Sequence, residues 1–149
     1  MREYDIYIIR EDIANDYYGL EGKLFRLFDE NRFAKGELKN VTDNQIDFII
    51  EPIDVIRLQR MLQKNLSGTV GYEMEDNKHF IRMKEKNSQA GLYIDENHLT
   101  LFSEGTLDAE ACFFEVLRHY HPFFIAMEFD QRRYGWLRPV KSLEIVHQS

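Results

Sequence analysis

The chain has a single cysteine among its 149 residues, Cys112, so no disulfide can form within it, and nothing in the sequence calls for an oxidising compartment. Long apolar runs are missing too. The N-terminal stretch MREYDIYIIRED is interrupted by Asp5 and closed by Arg10, too short for the apolar part of a secretory signal, and no other segment is long enough to span a bilayer. These absences predict a cytoplasmic protein with no membrane partner. Positive charge is scarce: Lys and Arg number 19 against 26 Asp and Glu, for a net charge of -7. The basic-leaning pieces, RMKEK at Arg82 to Lys86 and RLQR at Arg57 to Arg60, are diluted by acidic or apolar neighbours. Such a balance repels a phosphate backbone, so direct nucleic-acid binding is not expected.

The recognisable catalytic frames are absent as well. The sequence contains no Walker loop, no GxSxG elbow and no HExxH. His79, His98 and His147 are scattered without ligand spacing. Cys112, Glu115 and His119 fall at i, i+3 and i+7, on one helical face. Seven helical residues separate the ends by about 10 Å, too far for a Cys/His nucleophilic pair or for sharing one zinc ion unaided. Glu115 and His119 read better as a surface pair at i, i+4. From these residues no catalytic centre, cofactor site or metal site is expected.

What the chain does contain is enough apolar material, 44% hydrophobic and 13% aromatic, for one domain over residues 1–149 with a core of ordinary size. Tyr4 to Ile9 is β-branched and aromatic and reads as a strand buried on both faces. A helical pattern runs from Asp12 to about Arg32, crossed by Gly19 and Gly22. If it is continuous, Ile13 and Tyr17 line up with Leu20 and Leu24 and are buried; if Gly19 breaks it, they are free. Thr42 with Gln45 three residues on reads as a capping box that opens a helix. In that helix Ile46, Ile49, Ile50 and Ile53 share one apolar stripe, and Pro52 marks a bend. A third helix spans Asp54 to about Asn65, and an antiparallel meander follows from Thr69 to Phe102. Next come a deeply buried helix from Thr106 to Tyr120, a strand from Phe123 to Phe129, and DQRRYGWLRPVK turning back across the surface. Gly135 is placed in a turn that lays Tyr134 and Trp136 over the sheet, with Pro139 stiffening the segment.

The fold class is therefore α/β (α+β): a single domain whose mixed, mostly antiparallel sheet carries packed helices, in an element order similar to that of the GNAT acetyltransferases. A GNAT enzyme would hold the pyrophosphate of acetyl-CoA in a glycine-rich turn at a helix N-terminus. Here that turn reads SEGTLDAEA, with Gly105 alone to approach the phosphates and Glu104, Asp108 and Glu110 to repel them. One residue breaks the helical pattern. Phe48 falls opposite the isoleucine stripe, among Asn44, Gln45 and Glu51, where a ring has no core to enter unless a second layer of core or a partner covers it.

The segments YDIYIIREDIANDYYG and TDNQIDFIIEPI, and above all FFEVLRHYHPFFIAMEFDQRRYGWLRPVK, resemble the sporulation inhibitor of replication family, SirA, of endospore-forming bacteria. The likeness spans nearly the whole chain and is weakest in the meander. It implies a non-enzymatic inhibitor that binds the N-terminal domain of the replication initiator DnaA and blocks new rounds of chromosome replication during sporulation. It further implies a monomer that forms a heterodimer through Ile13, Tyr17, Asn44, Gln45 and Phe48. Two positions depart from the family pattern: Ile13 replaces an aromatic ring and Phe48 a tyrosine. Both keep the apolar contact, but Phe48 lacks a hydroxyl to donate, which bears on affinity and specificity. The other readings are a GNAT-like acetyltransferase and a homo-oligomer whose own interface covers Phe48.

Overall fold

The computed structural model describes residues 1–138. The chain opens with β1 (Arg2–Ile9), then α1 (Glu11–Asp16), α2 (Glu21–Phe33), α3 (Gly36–Ile49), the two-residue β2 (Ile50–Glu51) and α4 (Val55–Leu66). The meander follows as β3 (Tyr72–Glu75), β4 (Lys78–Met83), β5 (Ser88–Ile94) and β6 (Leu99–Gly105), and the chain ends with α5 (Asp108–Tyr120), β7 (Phe124–Glu128) and β8 (Arg133–Trp136). The sheet order is β3-β4-β5-β6-β1-β7-β8. Every pairing is antiparallel, so the parallel component of the expected mixed sheet is absent among the described residues. Arg2 to Ile6 pair with β6 along one edge of β1, and beyond Ile6 the same edge is taken up by β2.

Because side chains alternate along a strand, β1 feeds two cores. Tyr4, Ile6 and Ile8 join Leu58 and Leu62 of α4 and Phe113 and Leu117 of α5 on one face. Ile9, with Tyr7 partly buried beside it, joins Leu24, Phe25 and Phe28 of α2 and Ile46 and Ile49 of α3 on the other. The strand is covered on both faces, as its composition predicts. The second core takes its buried strand residues from β1, β2 and β7 and stops there. On the same side of β4, β5 and β6, the rings of Phe80, Tyr93 and Phe102 make edge contacts around a shallow depression of about 460 Å³.

Three local expectations need correction. The helix expected to open at Thr42 begins six residues earlier, at Gly36 with φ +60°. Thr42 lies inside it, where its hydroxyl bonds back to the carbonyls of Leu38 (2.9 Å) and Lys39 (3.2 Å) and accepts from Asn31 Nδ2 (2.8 Å). The early turns are clasped to α2 by Asn31, which also donates to Asp43 (2.7 Å) and accepts from Lys39 Nζ (3.1 Å). The Asn31 bond, and after it the Lys39 ammonium 3.2 Å away, hold the Asp43 carboxyl below its usual range. The isoleucine stripe is buried throughout, but Ile50 belongs to β2 and Ile53 enters the opposite core. Pro52 disfavours helical backbone at Glu51, so the helix stops at Ile49.

Of the two alternatives left open for Asp12 to Arg32, the structure takes the broken one: the break is at Gly19 (φ +78°), whose backbone amide donates to Glu21 Oε1 at 3.0 Å. The third correction lies at the last strand. RYGW is a strand: Gly135 sits opposite Ala126 in β8, and the reversal is made just before it, at Arg132 with φ +52°. Trp136 is held by its indole N–H, which donates to the same Glu21 oxygen at 2.9 Å, so the last strand pins the start of α2. Pro139 lies outside the described residues.

Candidate partner-binding surface

Phe48 occupies the last turn of α3 and is 61% exposed. The helix has its buried face without it, since Thr42, Ile46 and Ile49 fill the stripe that meets the core. What orients the ring is Arg10. Its guanidinium lies 4.9 Å from the ring centroid, donates from Nη1 to the Phe48 carbonyl at 2.9 Å, and pairs with Asp12 at 3.2 Å. The Arg10 backbone amide also donates to the Ile49 carbonyl at 2.9 Å. A C-terminal helix turn leaves its last carbonyls without intrahelical partners. Here residue 10, immediately ahead of α1, supplies two of the missing donors, and so the start of α1 is fastened to the end of α3.

Asn44 and Gln45 are exposed on α3, as the sequence predicts. Ile13 and Tyr17 fit neither of the two cases drawn from the sequence. The break at Gly19 occurs, yet both are half-buried, packed against the second core beside α2 and α3. Tyr17 is also the C-cap of α1, its amide bonding the Ile13 carbonyl at 3.0 Å. Their inner edges belong to the fold, and what they offer outward is part of a ring and part of an aliphatic chain. Arg10 escaped the sequence reading because it looked like the polar stop of a strand. Two further exposed residues, Leu38 (47%) and Val41 (43%), escaped because the helix was expected to start after them.

The turn that a CoA-binding reading requires is occupied by the protein itself. Gly105 has φ +79°, and a Cβ there would come within 1.8 Å of the Asn87 carbonyl oxygen, so this glycine serves close packing against the neighbouring turn. In the first turn of α5 the Ala109 amide donates to Ser88 Oγ at 2.9 Å, and Glu110 is buried. The Cys112, Glu115 and His119 face borders an open groove between α4 and α5. There His119 Nδ1 lies 3.6 Å from Glu115 Oε1, the helix surface pair expected, and is nearer still, at 2.8 Å, to the Glu115 backbone carbonyl. Burial pushes the Cys112 thiol up, away from the thiolate a nucleophile needs. Among the described residues no group of three or more His, Cys, Asp or Glu is placed to hold a metal ion, and no helix is long and apolar enough to cross a membrane.

Comparison with known proteins fixes the family. The profile of the sporulation inhibitor of replication protein SirA matches residues 2–141. The chain belongs to the SirA family. A SirA relative in Bacillus subtilis (strain 168), named sporulation inhibitor of replication protein, is 35% identical over 147 residues, covering 97% of this chain and 99% of its own. A match of that length takes in both the helices that carry Phe48 and the meander, so the SirA assignment applies to the whole domain.

Proposed function

We propose that this protein inhibits the initiation of chromosome replication during sporulation by binding the N-terminal domain of DnaA, without enzymatic chemistry. Its contact surface is formed by α1 and the outer side of α3: Ile13, Tyr17, Asn44, Gln45 and Phe48. The observation that carries the reading is Phe48 itself, a large ring held outward by Arg10 on a helix whose core-facing stripe is already complete. Exposed aromatic anchors flanked by amides are how protein interfaces concentrate their energy, and the acidic balance of the chain suits occupation of a protein surface better than competition for DNA.

Calorimetric titration into the isolated N-terminal domain of the cognate DnaA tests this. Wild type binds, and Phe48→Ala loses about 2 kcal/mol or more of binding free energy while its melting temperature stays put, because the ring contributes little to the core. Absence of wild-type binding overturns the choice of partner. A large drop in melting temperature overturns the placement of Phe48 at an interface.

A further inference from the structure

Phe48 is the end of a longer feature. At roughly 100° per residue, Leu38, Val41, Gln45 and Phe48 fall within about 80° of one another on α3, and this outer stripe is centred about 90° from the buried one. Three of the four are apolar and exposed. The stripe runs about 15 Å along the helix axis. Its polar surroundings lean to one sign: Glu37 borders the stripe on α3, and α1 at its Phe48 end carries Glu11, Asp12 and Asp16, against the Arg10 guanidinium over Phe48, which is itself paired with Asp12 at 3.2 Å, while Asp43 and Asp47 fall away from the stripe.

We infer that the partner seated on Phe48 extends along the whole of α3 to Leu38 and Val41, and that it offers this stripe an apolar groove with a basic rim. This rests on the function proposed above and enlarges the surface that performs it. A specific interface engages about 20–30 residues on each side, so five residues gathered at the two helix ends fill only a corner of one. The outer stripe is apolar surface continuous with Phe48 on the same rigid helix. No backbone movement is needed to present it. Glu37 and the three α1 carboxylates outnumber Arg10 beside it, which assigns a basic lean to the rim of what docks there.

The test is titration of the double variant Leu38→Ala/Val41→Ala into the same initiator domain, beside wild type and Phe48→Ala. Alanine has the higher helix propensity at both positions, so lost binding cannot be put down to lost helix, and an unchanged melting temperature verifies this. The expected result is an increase in Kd of about tenfold or more, together with wild-type binding that weakens as salt is raised. A double variant that binds within about twofold of wild type, while Phe48→Ala is impaired, overturns the extended footprint and leaves the proposed function standing. Binding indifferent to salt overturns the basic rim. Failure of wild type to bind overturns both readings. Wild type that elutes as a dimer, with the double variant a monomer, makes a second copy of this chain the occupant and overturns the inference.

Discussion

Glu110→Ala is expected to destabilise the fold by about 3–5 kcal/mol, the cost of removing one partner from a buried, hydrogen-bonded charge. Glu110 lies in the first turn of α5, where the helix dipole favours a carboxylate, and is 4% exposed. Its Oε1 accepts from Arg2 Nε at 2.7 Å and from Ser103 Oγ at 2.6 Å, and its Oε2 accepts from the Tyr4 hydroxyl at 2.7 Å. Truncation leaves three donors on β1 and β6 facing an apolar void. The network continues beyond it: Arg133 Nη2 donates to the Tyr4 oxygen at 3.4 Å, and Arg133 in turn pairs with the buried Glu128. One chain of polar contacts thus ties α5 to β1, β7 and β8. Burial, the hydrogen bond to Glu110 and the charge on that carboxylate together push the Tyr4 phenol up to about 12, so the hydroxyl remains a donor throughout the working pH range. Urea unfolding of wild type and Glu110→Ala measures the difference. Glu110→Gln, which keeps the shape but loses the charge and turns an amide donor toward one of the three incoming donors, should fall between them. A loss below about 1 kcal/mol for the alanine variant would show that water replaces the carboxylate without cost.

The sequence led to Glu110 by a different route, as one of several acids that spoil a phosphate site. It could not show what the acid does, because Arg2 and Tyr4 lie more than a hundred residues away and Ser103 is an ordinary strand serine. The same limit explains most of the differences. Periodicity found the burial of Ile46, Ile49, Ile50 and Ile53 correctly, since burial is what spacing encodes, but it put on one helical stripe residues that belong to a helix, a strand and two cores. It misplaced the helix ends because they are set by contacts made between elements: the Asn31 clasp to Thr42 and Asp43 at one end, the pairing of Ile50 and Glu51 with β1 at the other. The early start of α3 then hid Leu38 and Val41, and with them most of the outer stripe. Phe48 was legible because its own helix sufficed to show it was surplus to the core. Ile13 and Tyr17 were not, since their half-burial depends on where α2 and α3 pack. RYGW reads as a turn from glycine beside aromatics, yet pairing with β7 at an open sheet edge makes it a strand.

A second large effect is expected from acid. His79 in β4 is 0% exposed, with Nε2 2.7 Å from Gln59 Oε1 on α4 and Nδ1 2.8 Å from the Tyr72 hydroxyl on β3. The amide oxygen can only accept, so Nε2 carries the proton and Nδ1 accepts from tyrosine: one neutral tautomer satisfies both contacts. Neither of these two partners is a carboxylate that would stabilise an imidazolium. Burial accordingly pushes the His79 pKa down to about 4, from 6.5. Between those values the unfolded chain binds a proton that the native protein refuses, so stability rises with pH across the window. The contribution is complete above about pH 6.5 and is lost as pH falls through about 4, a span of about 3 kcal/mol. Asp5 works against it at the acid end, because desolvation raises its pKa and native Asp5 binds its proton first. Asp29, whose pKa is lowered chiefly by the Arg132 hydrogen bond, adds its loss below the ordinary carboxylate range. Unfolding free energies of wild type and His79→Gln at matched pH values cancel both aspartates. The wild-type curve should climb between pH 4 and 6.5 more steeply than the variant's, and parallel curves would mean that the buried histidine takes up its proton as readily as a free one.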